Sequence, residues 1–295
     1  MVIVLGVLVF AGLIWWLRRD SDGAGHGRGR VPAGGAADPG LPSGRYAGKP
    51  VPEDQMPLGR IDVRGLTKEY AGVVVVDDVS FSAEPGRVTG FLGPNGAGKT
   101  TTLRMLLGLA EPSRGGAEIG GTRYAQLDDP VLRVGAVLEA SGAHEGRTGR
   151  DHLRVLCRAA GLPTARVDEV LSAVGLRRAD GRLVRTYSLG MRQRLAVAAA
   201  LLGDPQVLIM DEPGNGLDPA GIRWIRSFLR SAAASGRTVL VSSHQLAEIE
   251  QLADDLVIIA AGRVAASGPM ESVVGSHAGL EDAFLELTAG TEEIR

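Results

Sequence analysis

Gly93-Pro-Asn-Gly-Ala-Gly-Lys-Thr100 fits the pattern G-x-x-x-x-G-K-[ST], a loop whose backbone amides cradle phosphate. The flanking sequence suits that reading. Arg87 to Leu92 is a short apolar run of the kind that forms a buried strand, and Thr101 to Leu109 carries apolar residues at helical spacing. Strand, glycine loop and helix N-terminus together make an anion site, because free N–H groups and the helix dipole point the same way. Candidate phosphate contacts are Gly93, Pro94, Asn95, Gly96, Ala97, Gly98, Lys99, Thr100 and Thr101. In such a loop the lysine reaches the β- and γ-phosphates and the hydroxyl of Thr100 is offered to magnesium. The chain has only Lys49, Lys68 and Lys99 among its 32 basic residues, so a lysine here marks a place for a compact point charge.

The composition narrows the alternatives. At 295 residues, 44% hydrophobic and 22% charged, the chain has material for one large or two ordinary domains with a substantial core. A net charge of -2 gives no basic face for nucleic acid. The single cysteine, Cys157, has no internal partner, suits a reducing compartment, and reads as a small apolar helix residue.

Met1 to Leu17 contains no charged side chain and is followed by Arg18 and Arg19. As a helix it would span roughly 25 Å, a little short of a ~30 Å hydrocarbon layer. Trp15 and Trp16 fit an interfacial belt, and the arginines favour a cytoplasmic C-terminal side. Residues 1–17 are therefore expected to be an uncleaved membrane anchor, with translation from Met56 as the alternative. Residues 18–59 hold ten glycines and six prolines and read as a flexible linker. From Arg60 onward, Ile61 to Leu66, Val73 to Val76 and Val79 to Ser82 supply strand material. Asp77-Asp78, Glu84-Pro-Gly86 and Glu111 to Gly116 read as turns, so a small antiparallel sheet is expected before the glycine loop. Residues 128–187 read as mostly helical, including Arg150 to Ala160 and Arg166 to Val174. Leu256 to Ser267 reads as a hairpin about Ala261-Gly262, and residues 277–295 as a C-terminal helix and tail.

Val207-Leu-Ile-Met210 is a second buried-strand candidate, and it delivers Asp211 and Glu212. Two carboxylates at a strand end beside a phosphate loop suit magnesium binding through Asp211 and polarisation of an attacking water by Glu212. Between the two elements lies Tyr187-Ser-Leu-Gly-Met191, with Ser188 placed to cap a helix from Met191 to Leu202.

These elements in this order resemble the ATP-binding subunits of ABC transporters, over about Arg60 to Pro269. Tyr187 to Met191 resembles the signature LSGGQ, matching at Ser188 and Gly190 and departing at Tyr187, Leu189 and Met191. Asn215-Gly-Leu-Asp218 looks like the D-loop, His244 like the switch histidine, and Tyr70 like the aromatic residue that stacks on adenine. The resemblance implies an α/β fold: a P-loop NTPase core with a parallel sheet flanked by helices, a small antiparallel β-subdomain and a helical subdomain. The ATPase domain would span 60–276, with 128–187 its helical part.

It also implies ATP and Mg2+ as cofactors. ATP would lie between two subunits, with Ser188, Gly190 and Asp218 facing the nucleotide of the opposite one. His244 would donate to the γ-phosphate and hold the attacking water with Glu212. Glu139, where the family usually has glutamine, would be a further magnesium contact. The function implied is ATP hydrolysis that powers a separate membrane permease, closest in feel to drug and antibiotic exporters. The chain would then sit at the cell membrane with its ATPase domain on the cytoplasmic side, paired with an identical or related subunit. A non-transport regulatory ABC ATPase is the alternative within the family, and a nucleotide kinase the alternative outside it.

Overall fold

The computed structural model describes residues 59–138 and 142–289. The expected anchor and nearly all of the expected linker lie outside them. Among the described residues no helix is long and apolar enough to cross a membrane.

The main sheet has six strands in the order β5-β6-β7-β3-β8-β9. They are β3 (Val88–Leu92), β5 (Val134–Val137), β6 (Val207–Asp211), β7 (Thr238–Ser243), β8 (Asp255–Ala260) and β9 (Arg263–Pro269). The first five in that order run parallel, and β9 returns antiparallel to β8. Both faces of β3, β6, β7 and β8 are covered, which is why these strands are mostly apolar runs, whereas β9 alternates exposed and half-buried residues. In β6, Leu208 and Met210 enter one core and Val207 and Ile209 the other. In β8, Leu256 and Ile258 face the first core and Val257 and Ile259 the second.

The small sheet is antiparallel, in the order β2-β1-β4, from β1 (Ile61–Tyr70), β2 (Val73–Ala83) and β4 (Arg114–Ile119). Here the structure corrects two expectations. Asp77-Asp78 is not a turn between two strands, since β2 runs through it. Asp78 takes a left-handed φ of 55° and donates its N–H to Thr67 Oγ1 at 3.1 Å, so the acidic pair makes a bulge. The glycines after Arg114 belong to the strand β4 and not to a turn. A β-carbon on Gly115 would lie 2.1 Å from Gly65 O, so glycine is there for close backbone approach.

The glycine loop leads into α1 (Lys99–Leu106). Within the stretch expected to be mostly helical, residues 130–137 form the short α2 (Pro130–Arg133) and the edge strand β5. The helical layer proper follows as α3 (Gly149–Ala159), α4 (Arg166–Ala173) and α5 (Leu189–Ala200). Its apolar faces join the first core through Leu153, Cys157, Val170, Leu171 and Leu195. Beyond β6 come α6 (Pro219–Ala234) and, after β7, α7 (Leu246–Glu250). After the β8–β9 hairpin, turned at Ala261 and Gly262, lie α8 (Met270–Val274) and α9 (Leu280–Thr288). Leu280 and Ala283 are buried, so α9 seals the core with one apolar face.

Candidate nucleotide site

Parallel register brings the functional residues to one edge of the sheet. Leu92 pairs with Ser243 and Asp211 with Ser242, so β3, β6 and β7 end side by side. Ligand crevices in open α/β sheets lie at such carboxyl ends.

The loop from β3 to α1 is shaped by its glycines. Gly96 and Gly98 have φ of 81° and 102°, left-handed values that favour glycine. A β-carbon on Gly93 would meet Ile259 O at 2.3 Å, and one on Gly98 would meet Val75 O at 2.9 Å. Pro94, Asn95 and Gly96 form the exposed crest, while Ala97, Gly98 and Lys99 are buried beneath it. The buried Lys99 ammonium donates to Gly93 O at 2.7 Å and Pro94 O at 3.3 Å. It also lies 3.6 Å from Glu212 Oε1. Thr101 follows on α1 and is half-buried.

Thr100 Oγ1 donates to Asp211 Oδ2 at 2.8 Å. The other Asp211 oxygen accepts a short hydrogen bond from Ser242 Oγ–H. A hydroxyl and a carboxylate facing each other are hard oxygen donors of the kind magnesium takes. Together with the glycine cradle, they fit a magnesium-bound nucleotide phosphate.

Glu212 has a left-handed φ of 50°, a rare geometry for a residue with a side chain and one that gathers at functional sites. Its N–H donates to Ser242 O at 3.2 Å and is 3.0 Å from Ser242 Oγ. Its Oε2 meets His244 Nδ1 at 2.7 Å and the His244 N–H at 3.3 Å. Ser242 therefore fixes both acidic residues, a role the sequence reading missed although Ser-Ser-His was visible as a unit. Behind the dyad, Glu248 on α7 has a buried oxygen, Oε1, without a hydrogen-bond partner. Burial, with Glu212 nearby, pushes its carboxyl above the usual range.

The other candidates sit apart from this cluster. Tyr70 is exposed at the end of β1, with Lys68 Nζ 4.8 Å from its ring centroid. Ser188 caps α5, its Oγ accepting from Met191 N–H at 3.3 Å. Asp218 caps α6, its Oδ1 accepting from Gly221 N–H at 2.7 Å. The first turn of α5 lies against the loop after Glu212, where a β-carbon on Gly190 would be 4.0 Å from Leu217 Cδ2. Glu139 lies outside the described residues.

The sequence pattern of the family described as ABC transporter matches residues 76–215. The chain is 42% identical over 214 residues to the bacitracin transport ATP-binding protein BcrA of Bacillus licheniformis, covering 72% of this chain and 70% of that one. It is 41% identical over 226 residues to the Nod factor export ATP-binding protein I of Ralstonia nicotianae, covering 75% and 70%. A solved structure described as the ATP binding subunit of an ABC transporter superposes with a TM-score of 0.70 at 32% identity, covering 77% of this chain and 98% of that one.

Proposed function

This chain belongs to the ATP-binding proteins of the ABC transporter family, and from that premise we propose that it hydrolyses ATP to drive a separate membrane permease in export. The export direction draws on the relative named for Nod factor export. The ATPase would work on the cytoplasmic side of the membrane, paired with a second copy or a related subunit.

In this reading the Lys99 ammonium exchanges the carbonyls of Gly93 and Pro94 for β- and γ-phosphate oxygens, while the loop amides hold the same phosphates. Thr100 and Asp211 would hold magnesium, which would supply positive charge to the phosphate chain. Tyr70 offers a ring face to adenine. Glu139, which follows β5 in sequence, would be a further magnesium contact. Water attacks the γ-phosphorus, the bond to the β,γ-bridging oxygen breaks, and Glu212 accepts the water's proton. His244 steers the Glu212 carboxylate through Nδ1 and would donate to the γ-phosphate. Ser188, Gly190 and Asp218 would serve the nucleotide held on the opposite subunit.

The observation that carries this reading is Glu212 itself. A strained backbone, fixed by Ser242, sets its carboxylate between Lys99 and His244. Glu212→Gln keeps the shape and removes the base. Full-length protein with this change is expected to bind ATP as wild type does and to lose about 100-fold or more in turnover, within the usual range for general bases. Turnover near the wild-type rate would remove Glu212 from the role.

A further inference from the structure

We propose that Leu189 is a positioning residue whose side chain locks the first turn of α5 onto Gly216, so that the loop behind Glu212 moves with the signature turn of its own chain. The inference rests on the ATPase reading of Glu212. Leu189 stands where the family signature has glycine, and a glycine would have no side chain to reach with.

Leu189 opens α5 directly after the Ser188 cap and is 47% exposed, unusual for a leucine beside a core. Its Cδ2 lies 2.8 Å from where a β-carbon on Gly216 would stand, so the methyl rests on the bare backbone there. Gly216 also has φ of 71°, a left-handed value that favours glycine. The loop is itself stiff. Asn215 N–H donates to Glu212 O at 3.1 Å and Leu217 N–H to Gly214 O at 3.1 Å, and Asp218 then caps α6. A push on Gly216 therefore passes through two tight turns to the Glu212 backbone.

Another departure from the signature, Tyr187, packs on a different element. Tyr187 is buried, and its hydroxyl donates to Ala179 O at 2.8 Å. A β-carbon on Gly149 would lie 2.2 Å from that hydroxyl oxygen, so Tyr187 is pressed onto the start of α3. Tyr187 and Leu189, on either side of Ser188, thus tie the signature turn to the helical layer and to the loop after Glu212. A contiguous packed path of this kind is the physical condition for coupling two regions, and a mutant cycle tests it.

The experiment compares full-length wild type with L189A, L189M, G216A and L189A/G216A, using Mg–ATP. L189A is expected to lower kcat about fivefold while KM for ATP stays within about twofold, since the chain's own phosphate contacts are untouched. Its melting temperature stays near wild type, because the residue is half exposed. L189M, long enough to reach Gly216, restores most of kcat. G216A slows turnover by pressing a methyl onto Leu189, and the double variant loses less than the product of the single losses, by a factor of about three or more. L189A turnover equal to wild type, or losses that simply multiply, overturns the lock. If wild type does not hydrolyse ATP at all, the ATPase reading falls by itself. Amide exchange at 215–217 still decides the contact: faster in L189A supports it and unchanged overturns it.

Discussion

In the phosphate loop, a β-carbon on Gly93 would lie 2.3 Å from a backbone oxygen and one on Gly98 would combine a 2.9 Å clash with φ of 102°. In the signature turn, a β-carbon on Gly190 would meet nothing closer than a leucine methyl at 4.0 Å. The first region is crowded by neighbouring backbone, so its residue types are forced by the fold itself. In the second, the fold of the chain itself calls for a hydroxyl cap and a helix start, and its packing leaves room for side chains. That difference explains why one stretch matches its motif without exception and the other departs at Tyr187, Leu189 and Met191.

The comparison breaks most visibly if glycine is replaced in both places. Gly98→Ala is expected to cost on the order of 2 kcal/mol or more from backbone strain and to weaken ATP binding strongly. Gly190→Ala, in the first turn of a helix with open space around it, is expected to stay within about 0.5 kcal/mol of wild type. Chemical denaturation and nucleotide titration of the two variants check this. Equal costs would mean that crowding does not set the tolerance.

A second contrast lies in what supports each region. The phosphate loop hangs from the sheet, while the signature turn leans through Tyr187 on the start of α3. That helix carries His152, which is 4% exposed. Burial, followed by the charges of Arg147 and His144, depresses its pKa to about 4 from the ordinary 6.5. The folded state therefore resists protonation that the unfolded chain accepts. Its contribution is complete above about pH 6.5 and is lost as pH falls toward 4, amounting to about 3 kcal/mol. Urea midpoints measured from pH 7 to 4 are expected to fall less steeply in His152→Gln than in wild type. Parallel slopes would show that His152 does not drive the loss.

Much of this was legible in the sequence, for a physical reason. Buried parallel strands read as apolar runs, and a crowded loop reads as glycine, so β3, β6 and the loop between β3 and α1 could be bounded closely. The α5 cap at Ser188 and the helix from Leu280 to Thr288 were also recoverable from local chemistry. What escaped depended on partners distant in sequence. Asp77-Asp78 has turn chemistry, but pairing with β1 keeps the strand going and leaves a bulge. Gly115 looks like a turn until Gly65 is set beside it. Ser242 looks like a plain strand residue until Asp211 and the Glu212 amide arrive from β6.

The central claim is that ATP, held by Lys99 and its loop, joins two ATPase chains, and that Glu212 acts on the joined state. Sedimentation of the full-length Glu212→Gln variant, with and without Mg–ATP, tests it most directly. The expected result is a dimer that forms with Mg–ATP and dissociates when nucleotide is removed. A nucleotide-bound variant that remains monomeric, or a dimer indifferent to ATP, would contradict it.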